Sequence, residues 1–148
     1  MSTKPMKVVL VDDDEDDRMF FSDALKEIDT KTELTEFENG KEFLDYLKKE
    51  DTENPHLIFL DLNMPVMNGF ECLKAMRQHP DFKELAVAIY STSSSERDIE
   101  ETFVNGANIY INKPNGFGEL KSTLAQVVKR HADHREKILD KANFLFRI

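Results

Sequence analysis

Carboxylate side chains follow two short apolar segments of the sequence. The segment Val8–Val11 leads directly into Asp12 and Asp13, and the segment Leu57–Leu60 leads into Asp61. If the two segments are neighbouring parallel strands, which lie roughly 5 Å apart, these carboxylates meet at one edge of a sheet. Clustered carboxylates raise one another's pKa unless a cation neutralises them. The sequence therefore predicts a site for a hard divalent cation with oxygen ligands, Mg²⁺ above all.

The four acids at positions 14–17 have a simpler interpretation. They stand where a helix is expected to begin, and the helix dipole favours negative charge there. We interpret them as the solvated start of a helix and not as ligands. The alternative for the whole cluster is that it serves only the helix, with Asp61 as a turn residue.

Two more polar groups follow the next apolar segments. The segment Ala86–Tyr90 ends in the hydroxyl-rich run Ser91–Ser95, and Ile109–Ile111 ends in Asn112 and Lys113. A hydroxyl donor and an ammonium that face a metal-bound carboxylate can hold the oxygens of a phosphoryl group. Together with the strand-end carboxylates, they predict phosphoryl transfer to a carboxylate.

Alternation of strands and helices explains how these groups reach one edge. The apolar segments lack period-two alternation, which is typical of strands that helices cover on both faces. Thr32–Phe37 is more polar and is predicted at the sheet edge, because Glu33 and Glu36 would be costly to bury on both sides. Apolar residues at helical spacing separate the strands. This order predicts a doubly wound α/β sheet with its ligands beyond the carboxyl ends of the strands.

Composition excludes several classes of function. The 148 residues suffice for about one domain, and 20 Lys and Arg against 29 Asp and Glu give a net charge of −9. Such a chain lacks the basic surface that draws proteins to nucleic acid or anionic membranes. No apolar run approaches the ~20 residues of a membrane helix, so we expect a soluble, cytoplasmic protein. The single cysteine, Cys72, is predicted to be buried apolar filler.

With these residues assembled, positions 6–131 resemble the receiver domains of two-component response regulators. Within that family the chain is most similar to the phytochrome-associated type. The resemblance rests on Val-Asp12-Asp13-Asp, Leu-Asp61-Leu-Asn-Met-Pro65-Val-Met-Asn-Gly69, Ser91-Thr92-Ser93, Gly106-Ala107 and Lys113-Pro114. It implies a flavodoxin-like, five-stranded parallel sheet of order 2-1-3-4-5 with helices on both faces.

The resemblance also implies roles for individual residues. Asp61 would be the phospho-acceptor, and Asp12, Asp13 and the backbone carbonyl of Asn63 would bind Mg²⁺. Lys113 would contact a phosphoryl oxygen, and its peptide bond to Pro114 would be cis. A sensor histidine kinase, phytochrome-like or other, or a phosphotransfer protein would supply the phosphoryl group, and a downstream protein would respond. Activity would be limited to self-phosphorylation and self-dephosphorylation.

A switch is implied in the same way. Ser91 would be the switch hydroxyl, with Thr92 as the next candidate, and Tyr110 falls on the aromatic switch position. Phosphorylation adds roughly −1.5 to −2 charges, which would pull Ser91 inward. The vacated space would let Tyr110 turn inward and reshape the surface formed by the fourth helix, fifth strand and fifth helix.

Two rival functions leave traces in the sequence. A haloacid-dehalogenase-like phosphohydrolase also uses a strand-end aspartate, but it needs a second Asp where this chain has Asn63. A calcium sensor is suggested by Asp12, Asp14 and Asp16, yet an EF-hand loop requires Gly where Asp17 stands.

The last residues exceed what five β-α units require. We therefore divide the chain into a receiver domain, residues 1–131, and an amphipathic C-terminal extension, residues 132–148. Large apolar residues in the extension share one face of a predicted helix, namely Ile138, Leu139, Ala142, Leu145 and Phe146. This face would extend the fifth helix, fold back on the domain or dock on a second copy, and we favour the homodimer. We expect action through protein contacts, since the chain ends before a DNA-binding domain would fit.

Overall fold

The computed structural model describes residues 4–49, 53–134 and 145–146. Strands and helices alternate throughout, as the sequence predicts. In chain order they are β1 Met6–Val11, α1 Glu15–Lys26, β2 Thr32–Phe37, α2 Gly40–Leu47, β3 Leu57–Leu60, α3 Gly69–Gln78, β4 Val87–Ser91, α4 Glu96–Val104, β5 Ile109–Asn112, α5 Phe117–His134 and β6 Leu145–Phe146.

One parallel sheet of order β2-β1-β3-β4-β5-β6 forms the centre of the fold. The predicted order 2-1-3-4-5 is confirmed for the first five strands. Alternate residues of each strand point to opposite faces. One face packs on α2, α3 and α4 through residues such as Phe43, Leu73 and Ile99. The other packs on α1 and α5 through residues such as Phe21 and Leu124, so the sheet is doubly wound.

Side-chain caps fix where four helices begin. Asp14, Asn39, Asn68 and Ser95 each have extended backbone and accept a hydrogen bond from the backbone N–H three residues later. Such caps satisfy N–H groups that the first helical turn leaves without partners. They stabilise the start of α1, α2, α3 and α4, each of which follows the carboxyl end of a strand.

A sixth strand departs from the predicted helical extension. Leu145 and Phe146 pair in parallel with Tyr110 and Ile111 of β5. The strand edge explains the difference, because backbone N–H and C=O groups of β5 can pair with an added strand, whereas a helix leaves them open. Helix α5 continues past residue 131 to His134. Residues 135–144 and 147–148, which hold the rest of the predicted apolar face, lie outside the described residues.

Two smaller predictions are confirmed. Glu33 and Glu36 of β2 are exposed at the sheet edge. Cys72 is fully buried in the apolar core, and burial raises the pKa of its thiol. Among the described residues, no helix has the length and apolar character needed to cross a bilayer.

Candidate functional site

Asp12, Asp13 and Asp61 meet at the carboxyl edge of the sheet. Strands β1 and β3 pair with Val11 opposite Leu60, and the N–H of Asp61 donates to the carbonyl oxygen of Val11 at 3.0 Å. The next residue of each strand therefore leaves the sheet at the same level. One carboxylate oxygen from each of the three aspartates lies within 4.8 Å of the others. Asp12 and Asp61 are buried and Asp13 is exposed, so the cluster opens to solvent on one side.

Lys113 brings a positive charge to this cluster. Its Nζ lies 2.9 Å from Asp12 Oδ2, 2.9 Å from Asp17 Oδ2 and 3.5 Å from Asp61 Oδ2. It also lies 5.1 Å from the centre of the Tyr90 ring. A single ammonium thus contacts three carboxylates, and the charge of the site stays negative.

Burial and excess negative charge perturb the pKa values of these groups. Burial raises the pKa of Asp61 to about 6, although the positive charge of Lys113 opposes the shift. The pKa of Asp12 is also raised, mainly because the carboxylate is buried. Burial alone would lower the pKa of Lys113, but its hydrogen bonds to Asp17 and Asp12 outweigh this effect and raise it. The site therefore favours a bound cation, which would stabilise the ionised carboxylates.

The donor atoms fit a hard divalent cation. All three side chains offer carboxylate oxygens, the ligand type that Mg²⁺, Mn²⁺ and Ca²⁺ share. With metal–oxygen distances of about 2.1–2.4 Å, oxygens on opposite sides of one ion are roughly 4–5 Å apart. The span of 4.8 Å is compatible with that geometry. Asp12, Asp13 and Asp61 thus form an acidic pocket that can hold a divalent cation.

Asp17 corrects one interpretation of the acidic run. It was predicted to be solvated, but its carboxylate contacts Lys113, with 42% of its side chain exposed. The reason is the cap at Asp14, whose side chain accepts the N–H of Asp17 at 3.0 Å and starts α1 beside the site. Helix α1 begins at Glu15, whereas an EF-hand would need an irregular calcium-binding loop over these residues. The calcium-sensor alternative is therefore wrong.

The segment after β3 holds Asp61 in place. The N–H of Gly69 donates to the carbonyl oxygen of Leu62 at 2.9 Å, and a Cβ at position 69 would lie 2.2 Å from the carbonyl oxygen of Asp61. Only glycine permits this approach. The backbone N–H groups of Leu62 and Asn63 hydrogen-bond the Asp61 carboxylate and favour its ionised form. The carbonyl of Asn63 stays a predicted metal ligand.

The same segment contains a strained turn. Val66 has φ of 68°, and the N–H of Met67 donates to the carbonyl oxygen of Pro65 at 2.7 Å. This three-residue turn with positive φ at its centre is rare, and a β-branched residue is poorly suited to it. The strain lies within the loop that begins at Asp61.

The loop after β4 is bound to the end of β5. Ser91 is fully buried and its Oγ accepts the N–H of Ser93 at 3.1 Å, while Thr92 is exposed. Tyr110 is also fully buried, and its hydroxyl donates to the carbonyl oxygen of Ser93 at 2.7 Å. The amide of Asn112 donates to the same oxygen at 3.0 Å.

Two features of this region differ from what the sequence predicts, the orientation of Tyr110 and the peptide bond before Pro114. Tyr110 already has the inward orientation that was predicted to follow phosphorylation, because its hydroxyl finds an acceptor in the loop. The predicted cis bond between Lys113 and Pro114 was wrong, since the part of the chain that the structure describes contains no cis peptide bond. The trans form is favoured by about 0.5–1 kcal/mol even before proline. Sequence reasoning gave Gly69 and Asn112 no defined role in the site and placed Asp17 outside it.

Comparison with known families gives one domain match. The family of the response regulator receiver domain matches residues 8–125. Response regulator Rcp1 of Synechocystis sp. is 30% identical over 123 residues, which cover 80% of this chain and 84% of that protein.

Solved structures agree in fold. The phosphorylated cyanobacterial phytochrome response regulator RcpA superposes with a TM-score of 0.79 at 27% identity, covering 93% of this chain and 100% of that one. The Mn²⁺-bound form of response regulator Rcp1 superposes with a TM-score of 0.76 at 26% identity, covering 92% and 100%. These findings give no support to the phosphohydrolase alternative.

Proposed function

The chain belongs to the response regulator receiver family of two-component signalling, and from this premise we propose that Asp61 is its phospho-acceptor. Receiver domains take phosphoryl groups from histidine kinases. The observation that carries the proposal is the position of Asp61. It is buried at the end of β3, beside Asp12 and within 3.5 Å of the Lys113 ammonium.

Phosphoryl transfer at Asp61 needs a carboxylate that is ionised and oriented. An Asp61 oxygen forms a bond to phosphorus while the bond from phosphorus to the donor histidine nitrogen breaks, and the imidazole keeps the electron pair. The N–H groups of Leu62 and Asn63 favour the ionised form of the carboxylate and so oppose the effect of burial on its pKa. Lys113 donates to a phosphoryl oxygen and offsets the charge that develops there. The buried side chains around Asp61 limit the access of water.

We infer that the cation is Mg²⁺ and that Asp12, Asp13, Asp61 and the carbonyl of Asn63 hold it. The all-oxygen donor set supports this choice, because Mg²⁺ binds through a few carboxylates and keeps several waters. A bound divalent cation neutralises charge on the phosphoryl oxygens. The Mn²⁺-bound Rcp1 structure supports divalent metal binding in a relative.

The switch that we propose passes through Ser93. Ser91 accepts the N–H of Ser93, and Tyr110 donates to the carbonyl of the same residue. A Ser91 hydroxyl that turns toward a phosphoryl oxygen loosens its contact with Ser93. The acceptor of Tyr110 then shifts, and the surface around α4, β5 and α5 changes. The effect is a shift in population between two arrangements of the loop.

The donor and the target are inferred from relatives. We propose a phytochrome-like histidine kinase as the donor, because RcpA is described as a phytochrome response regulator. We propose that the target is a protein that contacts the surface around α4, β5 and α5. A cytoplasmic location, the boundary at residue 131 and a homodimer formed through the extension also stay predictions from the sequence.

Intact mass spectrometry after incubation with acetyl phosphate and Mg²⁺ tests the proposed function. We expect a single phosphoryl group that hydroxylamine removes. The variant Asp61→Asn should gain none. Asp16→Asn should be labelled like the wild type, because Asp16 is exposed and is not one of the three acids of the pocket. Labelling of Asp61→Asn at the wild-type rate would reject the assignment.

A further inference from the structure

Three carboxylates surround the Lys113 ammonium, which hydrogen-bonds two of them, Asp12 and Asp17. An ammonium has three N–H donors. Carboxylates of Asp12, Asp17 and Asp61 surround Nζ at 2.9, 2.9 and 3.5 Å, and only 9% of the Lys113 side chain is exposed. Contact with a phosphoryl oxygen on Asp61 would draw the ammonium away from Asp12 and Asp17, the two carboxylates that it hydrogen-bonds.

Asp17 differs from the other two partners of Lys113. Asp12 and Asp61 belong to the cluster that can hold a cation, together with Asp13, and Asp17 does not. It lies in the first turn of α1, where the side chain of Asp14 holds its backbone N–H. Its carboxylate thus contacts Lys113 from the helix, on the side where β1 leads into α1.

A cation in the acidic pocket would weaken the contacts of Lys113 with Asp12 and Asp61 more than its contact with Asp17. A divalent ion held by Asp12 and Asp61 would offset their negative charge and repel the ammonium. Asp17 is then the partner whose attraction for Lys113 is not shared with the ion. The ion pair between Asp17 and Lys113 competes with the contact that Lys113 makes to a phosphoryl oxygen.

We propose that Asp17 is a positioning residue that restrains Lys113 and so opposes its contact with a phosphoryl group on Asp61. The proposal rests on the proposed function, because it assumes that Asp61 is the phospho-acceptor. The ion pair stabilises the unphosphorylated arrangement. Its strength therefore affects how far phosphorylation shifts the population toward the switched arrangement of the loop.

Beryllofluoride, which mimics a phosphoryl group on a carboxylate, tests the proposal at saturating Mg²⁺. The chain has no Trp, so binding is followed by fluorine NMR of the bound probe. Asp17→Asn should bind beryllofluoride about three- to fivefold more tightly than the wild type, the range expected for a partly exposed ion pair. The control Asp16→Asn removes the same charge from an exposed neighbour and should change the affinity less than about twofold.

A second comparison separates restraint of Lys113 from simple charge repulsion. In a Lys113→Ala background, Asp17→Asn should no longer tighten binding, because there is no ammonium to release. Equal effects of Asp17→Asn in the two backgrounds, or equal effects of Asp17→Asn and Asp16→Asn, would overturn the proposal while leaving the proposed function intact. A wild-type chain that fails to bind beryllofluoride would overturn both.

Discussion

The hydroxyl of Tyr110 and the backbone carbonyl of Ser93 form a hydrogen bond of 2.7 Å that ties β5 to the loop after β4. The N–H of Ser93 is bound in turn by Ser91 Oγ at 3.1 Å. A single loop residue thus connects the end of β4, at the carboxyl edge of the sheet, with a buried aromatic ring on β5. The hydrogen bond to this loop stabilises the inward orientation of Tyr110.

Metal binding should depend on position within the acidic run. We expect Asp12→Ala or Asp13→Ala to weaken Mg²⁺ binding by at least about tenfold, because each removes a carboxylate of the pocket. Asp16→Ala should change the affinity less than about twofold, since the residue is exposed. Calorimetric titration measures all three. Equal losses would indicate a diffuse acidic patch in place of a site.

Stability should fall as the pH rises from about 4 to about 6. An unfolded Asp loses its proton near pH 3.8, whereas burial raises the pKa of Asp61 to about 6 in the folded chain. Between these values the folded state binds more protons, so its free energy of unfolding decreases with pH. Asp61→Asn removes the effect and should be more stable than the wild type by about 3 kcal/mol above pH 6.

Urea unfolding in EDTA at pH 4 and at pH 7.5 checks this prediction. The difference between the variant and the wild type isolates Asp61 from Asp12, whose pKa is raised in the same direction. A difference that is the same at the two pH values would contradict the role of burial.

Lys113→Ala should separate metal binding from switching. Lys113 is not a metal ligand, so Mg²⁺ should still bind, and loss of positive charge favours it. The change that phosphorylation produces at Ser93 and Tyr110 should fade, because no ammonium contacts the phosphoryl group. Amide chemical shifts before and after addition of beryllofluoride measure the change. Wild-type shifts in this variant would speak against the role of Lys113.

The strained turn predicts a stabilising substitution. Val66 has φ of 68°, so Val66→Gly should relieve backbone strain. Because the Val66 side chain is 75% exposed, its removal costs little buried apolar surface. We expect a gain of about 1 kcal/mol, since positive φ costs roughly 1–3 kcal/mol and glycine loses part of that in chain entropy. Val104→Gly, at the exposed end of α4, should instead lose stability. Urea unfolding measures the free energy of unfolding of both variants. A loss of stability in Val66→Gly would contradict the interpretation that the turn is strained.

Self-association is the prediction that concerns the C-terminal extension. Apolar residues such as Ile138 and Leu139 predict a homodimer, and removal of residues 134–148 should then give a monomer. Leu145 and Phe146 pair with β5 of their own chain, which supports fold-back for these two residues. Sedimentation at high micromolar concentration distinguishes the two cases. A monomeric full-length chain, with and without beryllofluoride, would exclude the dimer.

The fold and the centre of the site follow from sequence because topology fixes strand ends. Strand β2 was predicted with its observed bounds, and β1, β4 and β5 within two residues. Parallel neighbours end at the same edge, so Asp12 and Asp61 had to approach each other. Strand β3 also has the bounds of the predicted segment, Leu57–Leu60, and the chain turns at Asp61 toward α3.

The remaining contacts depend on details that periodicity does not encode. Asp17 and Lys113 are 96 residues apart in sequence, and their contact requires the exact start of α1 together with the reach of a long side chain. Leu145 and Phe146 fit a helical pattern, but the open edge of β5 favours a strand. In both cases a tertiary partner decides what the local sequence leaves undetermined.

Gly69 limits how this protein can evolve. The backbone of α3 approaches the carbonyl of Asp61 so closely that any Cβ would have to displace it. Exposed positions of the same helix, such as Lys74, can change without moving the site. No residue other than glycine fits position 69, because an added Cβ would shift the end of β3 and the Asp61 carboxylate that follows it. Across divergent descendants of this chain, variation should spread over the outer surface of α3 and stop at its first residue.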